Sequence, residues 1–271
     1  MSASDDETQE FGLRAIPSLA EISRRDWDAL ANPHWTLDEG GCVSPRTTVE
    51  SDPEGGDSIS EETEFNPFIS HDFLSILEES GCVSEHTGWL PQHLVLDGPD
   101  GTPVAALPCY LKSHSMGEYV FDHSWADAYH RAGGSYYPKL QSCVPFTPAT
   151  GRRFLSGAGI NRPAAIAALA DGLRELCRLR SASSAHVTFL NETEWEVAGE
   201  RGFLQRTDQQ FHWLNKGYGS FDDFLGDLAS RKRKQIRKER REALASGLEI
   251  EWVTGADLTE ICQRAAKLAI R

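Results

Sequence analysis

Between residues 144 and 214 the chain alternates strand-like and helix-like segments, and this alternation restricts the fold more than any other feature of the sequence. Residues 144–146 read as a strand. Residues 163–179 read as a helix opened by Pro163, and 186–190 as a second strand. Asn191 caps a helix through Trp195 and Val197, which the pair Gly202-Phe203 closes, and 204–214 follows as a long strand. Strands separated by helices must lay those helices on a sheet, so the class is α/β.

The upstream half carries its own local signals. Residues 11–16 suit a short strand, and Ser23 can cap a helix containing Trp27, Leu30 and Ala31. Ser70 caps a second helix, in which Phe73, Leu74, Ile76 and Leu77 form one apolar face that Gly81 ends. Residues 92–96 and 103–112 alternate as antiparallel neighbours, joined by the turn Asp97-Gly98-Pro99-Asp100-Gly101. Residues 33–64 differ in kind: nine acidic residues face the single basic Arg46, and large apolar side chains are too few to offset ordering entropy. This segment reads as a disordered acidic insertion. Residues 1–66 carry 16 Asp and Glu against 4 Lys and Arg, a net charge of −12, which leaves −2 for the remainder. The acidity is therefore local and does not oppose an anionic ligand elsewhere.

The acidic start lacks a basic and apolar leader, and no apolar run is long enough to span a bilayer, which reads as a cytoplasmic protein. Cys42, Cys82, Cys109, Cys143, Cys177 and Cys262 are scattered, with no C-x-x-C pair and no metal-ligand spacing, and read as reduced thiols.

The chemistry concentrates in residues 117–153. Tyr119, Phe121, Asp122, His123, Trp125, Asp127, Tyr129, His130, Arg131, Tyr136, Tyr137 and Lys139 lie there among Gly117, Gly133, Gly134, Pro138, Pro145 and Pro148, with no sustained helical or strand period. Aromatic faces and polar tips between turn residues suit a pocket wall, and equally an aromatic loop covering a sheet. Asp122, His123 and Asp127 are the candidates for binding or deprotonating an amine. Trp125, Tyr129, Tyr136 and Tyr137 would form the wall, and Lys139, Arg152 and Arg153 would hold a phosphate or carboxylate. His71 and His130 at helix ends, and His186 and His212 in strands, read as structural. No Ser-His-Asp arrangement and no G-x-S-x-G segment is legible.

Three runs carry a resemblance. Tyr119-Val-Phe-Asp-His-Ser-Trp-Ala-Asp-Ala-Tyr129, Gly133-Gly-Ser-Tyr-Tyr-Pro-Lys-Leu140 and Val144-Pro-Phe-Thr-Pro-Ala-Thr-Gly151 resemble the signature of a FemAB-like family of the GNAT acyltransferase superfamily, with the likeness running from Asn66 to about Thr259. The resemblance implies a GNAT-type mixed sheet flanked by helices, a basic helix and an incomplete second GNAT-like half. It also implies two parallel strands that splay around an acyl donor. The segments would be a disordered tail (1–10), first strand and helix (11–32), insertion (33–65), GNAT-like domain (66–218), basic linker helices (219–247) and the start of a truncated second half (248–271). It implies acyl or aminoacyl transfer to an amine, with a cell-wall precursor as acceptor and acetyl-CoA, another acyl-CoA or aminoacyl-tRNA as donor, and no metal. The GNAT phosphate loop is imperfect here: Arg152-Arg-Phe-Leu-Ser-Gly-Ala-Gly159 supplies cations and small residues one position out of register. The alternatives are a non-catalytic module recognising a cell-wall fragment or nucleotide sugar, and an inactive truncated product.

The last landmark is Ser230-Arg-Lys-Arg-Lys-Gln-Ile-Arg-Lys-Glu-Arg-Arg241, on a helix that Gly247 stops. Arg231, Lys232, Arg233, Lys234, Arg237, Lys238, Arg240 and Arg241 form a positive face suited to phosphates, tRNA among them, or simply a solvated surface. If a second half is missing, Leu225, Leu228, Ile236, Leu244, Leu258, Ile261 and Leu268 would expose apolar surface and favour self-association.

Overall fold

The computed structural model describes residues 10–38, 42–46, 64–120, 122–245 and 247. They fall into two compact units, one ending at Arg206 and one beginning at Thr207.

In the first unit, β1 (Gly12–Ile16) precedes α1 (Arg24–Ala31). The Ser23 hydroxyl oxygen accepts from the Asp26 N–H and its O–H donates to the Asp26 carboxylate, which fixes the start of α1. α1 buries Trp27, Leu30 and Ala31. Part of the segment expected to be disordered is ordered instead: β2 (Trp35–Leu37) pairs antiparallel with β3 (Val43–Pro45). Residues 39–41 and 47–63 of that segment lie outside the described residues. α2 (His71–Glu79) starts at the Ser70 cap, as its sequence indicates.

The sheet is built from β4 (Trp89–Pro91), β5 (His93–Asp97), β6 (Pro103–Leu107), β7 (Tyr110–Lys112), β8 (Lys139–Ser142), β9 (Leu155–Ser156) and β10 (Ala185–Val187). One four-stranded sheet runs β1-β5-β6-β9 and the other β10-β8-β7-β4. The stretch expected as a single strand over 103–112 is two, because Pro108 has no N–H for the ladder. The Gln92 N–H donates to the Cys109 carbonyl at 2.8 Å where both long strands change sheet, so the two sheets are halves of one bent surface. Every pairing in them is antiparallel except β8 with β10, which is parallel. The crossover between those two contains α4 (Arg162–Leu179), capped by Asn161.

Alternation along the strands divides the core into two layers. Leu94, Leu96, Ala105 and Leu107 pack with Ile166, Leu169 and Leu173 of α4, while Val95 and Ala106 pack on the other face with Trp27 and Leu30 of α1 and Leu74 of α2. The α4 layer sits close to β1: a Cβ on Gly172 would come 2.1 Å from Leu13 Cδ2. α5 (Glu192–Glu200) follows β10 from the Asn191 cap.

Three sequence expectations fail locally. The aromatic run contains a helix, α3 (His123–Arg131), in which Trp125, Ala128 and Tyr129 share one face although none of its residues is buried. The strand expected at 144–146 lies instead at β8, while Pro145 and Phe146, at φ +58°, turn the chain. Residues 204–214 form no strand: the polar run 205–210 offers no alternating face, and Leu204, Phe211, Trp213 and Leu214 are exposed.

The second unit holds α6 (Phe221–Asp227), capped by Ser220, and α7 (Ser230–Ala245). Trp213, Tyr218, Phe221 and Phe224 form a ring cluster, and Arg240 lies over Phe221 at 4.5 Å. Leu225, expected to be exposed, is buried, and Leu228 and Ile236 are half-buried; Leu244 is exposed. Leu258, Ile261 and Leu268 lie outside the described residues.

Candidate functional site

The turn after β7 aims two carboxylates into the protein. Gly117 adopts φ +80°, and a Cβ there would come 2.6 Å from the Phe146 ring, so only glycine lets the two segments meet. The Phe146 N–H donates to the Gly117 carbonyl at 3.0 Å, and the Phe146 ring lies beside Trp89 at 5.2 Å. Tyr119 is also left-handed, at φ +56°, with its side chain 54% exposed. Bulky residues in this region cost of order 1–3 kcal/mol each, so the surrounding contacts must over-determine the turn.

Glu118 and Asp122, on either side of Tyr119, converge on one ammonium. Lys139 Nζ donates to Glu118 Oε2 at 2.7 Å and to Asp122 Oδ2 at 2.5 Å. The Tyr136 hydroxyl donates to the same Asp122 oxygen at 2.8 Å. Lys112 Nζ stands 3.9 Å from Glu118 Oε1, lies over the Trp89 ring at 3.2 Å and donates to the Met116 carbonyl. All four charged side chains are sealed from solvent, yet Glu118 Oε1 and Asp122 Oδ1 have no hydrogen-bond partner.

Burial dominates the electrostatics. It pushes Lys112 down to about 7 against the opposing pull of Glu118, and it raises Glu118 despite Lys139. Asp122 goes the other way. Burial would raise it, but hydrogen bonds from Lys139 and Tyr136 and the Lys139 charge outweigh that, holding the carboxyl below its usual range. His186 of β10 joins the edge of the cluster, with Nε2 2.8 Å from Ser184 Oγ and 3.5 Å from the Tyr136 hydroxyl. Burial first, then the Lys139 charge, pushes its imidazole down to about 4, so it is neutral at physiological pH.

A profile of the FemAB-like family, described as peptidoglycan biosynthesis/recognition, matches residues 18–267. The chain belongs to the FemAB-like family. No curated protein and no solved structure matches it significantly.

The FemAB-like chain gathers some of the residues that its sequence nominates and scatters others. Asp122, Tyr136 and Lys139 meet in the cluster, and Tyr137 adjoins it, its hydroxyl 2.8 Å from Ser115 Oγ. His123, Trp125, Asp127 and Tyr129 ride on exposed α3. Of these, Tyr129 returns to the cluster by an edge contact with Tyr136 at 5.7 Å, and Trp125 lies under the Arg206 guanidinium at 5.2 Å. The cations Arg152 and Arg153 stand apart. Arg153 is buried with its guanidinium donating to the carbonyls of Ala149, Gly151 and Arg152, and Arg152 donates to the Ala31 carbonyl. These bonds hold a loop, with the Arg153 guanidinium buried inside it. The cradle expected over 152–159 is partly strand β9, and the Asn161 side chain takes the Ala164 N–H at the start of α4.

Three residues of the cluster escaped the sequence reading. Lys112 enters it only as the end of the expected strand 103–112, Glu118 is not singled out, and His186 reads as a structural strand residue; the aromatic neighbourhood of Glu118 was the usable signal. A third buried acid, Glu194, lies elsewhere. It accepts from the N–H groups of Arg153 and Phe154 and pairs with Arg162 at 3.3 Å. Burial pushes it up to about 7 against the pull of those groups. Its spacing from Asn191 suggests a capping box, but its carboxylate reaches across to the start of β9 instead.

Proposed function

We propose that this FemAB-like chain is an acyl or aminoacyl transferase of GNAT type, moving an acyl group onto the amine of a cell-wall precursor. The observation that carries this reading is the parallel pair β8–β10, the sole parallel pairing among the described strands, with Lys139 on one strand, His186 on the other and Tyr136 and Asp122 beside them. Family membership supports the peptidoglycan-related substrate, and the strand order supports the transferase class by fold analogy.

The chemistry asks for positioning, a proton acceptor and donors toward a developing oxyanion. In this reading the sealed ion cluster fixes the Tyr136 hydroxyl and the His186 ring at the mouth of the parallel pair. Asp122 orients Tyr136 and does not itself take the proton, since it is buried and held ionised by Lys139. His123 and Asp127, one turn apart on α3, would contact the acceptor from the solvent side, with Trp125 and Tyr129 as its aromatic wall.

The donor is an acyl-CoA or an aminoacyl-tRNA. Arg152 and Arg153 are engaged with backbone carbonyls, which favours the polyanionic tRNA, for which α7 offers a track. Helical geometry sets Arg231, Lys234, Lys238 and Arg241 along one stripe of α7 with rises near the spacing of backbone phosphates. The test is transfer to a cell-wall amine measured with acetyl-CoA and with aminoacyl-tRNA. Turnover with either donor, lost in Tyr136→Phe, is expected; no turnover with either, alongside tight binding of a cell-wall fragment, would mark a recognition module.

A further inference from the structure

We infer that Ser184 and His186 form a nucleophile–base pair able to carry an acyl group on Ser184 Oγ. The two residues are two apart in extended chain at the start of β10, so their side chains share a face. The Leu140 N–H donates to the Ser184 carbonyl at 2.8 Å, fixing that backbone to β8. Ser184 Oγ and His186 Nε2 stand 2.8 Å apart, within the range of a working pair.

The neighbouring hydroxyl protons leave open the direction that a nucleophile–base pair requires. The Tyr136 hydroxyl gives its single proton to Asp122 at 2.8 Å, so at 3.5 Å from His186 it is not the imidazole's donor. Ser183 Oγ donates to the Tyr136 carbonyl, so its proton too is committed. Ser184 Oγ lies between Ser183 Oγ at 3.2 Å and His186 Nε2 at 2.8 Å, and in the Nδ1–H tautomer the neutral imidazole accepts its proton at Nε2. Access favours the same pair: Ser184 and His186 are half-buried, whereas Cys109 and Cys143 are sealed and burial holds both thiols protonated. The groups facing the ring are Tyr136, Asp122, Lys139 and Arg206, of which Lys139 and Arg206 oppose its protonation and Asp122 favours it.

The step balances without a co-reactant. Ser184 Oγ adds to the donor carbonyl carbon while its proton passes to His186 Nε2; the tetrahedral adduct collapses, the bond to the leaving group breaks, and the imidazolium returns the proton to the leaving group or to water. An amine then attacks the Ser184 ester carbon, its proton passes through His186 to Ser184 Oγ as the C–Oγ bond breaks, and the amide and the free hydroxyl are released. This inference rests on the transferase reading only for that amine.

The test uses the full chain with p-nitrophenyl acetate near neutral pH, which requires neither natural substrate. A burst of one p-nitrophenolate per chain is expected, with a single acetyl group mapped by peptide mass to Ser184. Ser184→Ala abolishes the adduct, and His186→Gln slows the burst roughly a hundredfold. Ser184→Cys retains it as a thioester. Each variant is compared at an unfolding midpoint matching wild type; where one fails to fold, the mapped position in wild type decides alone. Acetyl groups only on lysines, or an undiminished burst in Ser184→Ala or His186→Gln, would overturn the pair. A positive burst without transfer from acetyl-CoA or aminoacyl-tRNA would instead count against the transferase reading.

Discussion

Two buried polar clusters lie on the same bent sheet, and they are finished to different degrees. Glu78 gives one oxygen to His93 Nε2 at 2.8 Å and the other to Ser18 Oγ and the Leu19 N–H, while His93 Nδ1 accepts the Cys109 N–H at 3.1 Å. That ring therefore carries its proton on Nε2 and donates to Glu78. Burial would raise Glu78, but His93, Ser18 and Leu19 outweigh it and leave the carboxyl below its ordinary range. Around Lys139 the opposite holds: Glu118 Oε1 and Asp122 Oδ1 are buried without hydrogen-bond partners, and Lys112 is forced toward neutrality. A satisfied network clamps α2 and the 18–19 turn to β5. An under-satisfied one, held beneath two left-handed aromatic residues, stores the unmet polarity that functional sites tend to carry.

Removing the shared cation should separate the clusters most sharply. Lys139→Met leaves two buried carboxylates facing each other, and a loss of about 3–5 kcal/mol is expected from urea unfolding. Glu78→Gln, which strips one charge from a network whose members retain other partners, should cost about 1–3 kcal/mol. Equal losses would erase the distinction drawn here.

Gly117→Ala comes next. It forces a Cβ toward the Phe146 ring at φ +80°, and a cost of about 1–3 kcal/mol is expected. The effect should be confined to the Lys139 cluster, so amide exchange should rise in the 117–122 turn and not around β5. Uniform loosening across the sheet would mean that the turn is ordinary cover.

The caps at Ser23, Ser70 and Asn191 were legible because each is decided by a side chain and an N–H three residues away. The α4 helix and the strand in β10 also announced themselves locally. The charge cluster did not, since Lys139 meets Glu118 across 21 positions and Asp122 across 17, and no spacing rule encodes those meetings. Residues 204–214 misled for a related reason. Their apolar residues suggest a strand, but strand formation depends on a neighbour that the described chain does not provide.

Titration gives smaller effects with opposite signs. Lys112 is lowered to about 7 in the fold, so between there and its ordinary alkaline value the unfolded chain binds more protons and stability rises with pH. Lys112→Met should flatten that alkaline rise. Glu78 is lowered, so its contribution is present at neutral pH and lost on acidification through its folded value. Glu194, raised to about 7, binds more protons folded than unfolded over the window below it, and stability falls as pH rises through that window. Glu194→Gln should remove this decline in chemical unfolding followed from pH 5 to 7. A Glu194→Gln curve that parallels wild type would show that the carboxyl titrates normally.

The most direct test compares transfer activity per folded molecule in Asp122→Asn and Glu78→Gln, using acetyl-CoA and aminoacyl-tRNA as donors and a cell-wall amine as acceptor. Asp122→Asn releases Tyr136 from its orienting charge, and activity should fall roughly a hundredfold or more, whereas Glu78→Gln should lose stability but keep wild-type activity in its folded fraction. Equal activity per folded molecule in Asp122→Asn and wild type would contradict the assignment of the Lys139 cluster as the functional centre.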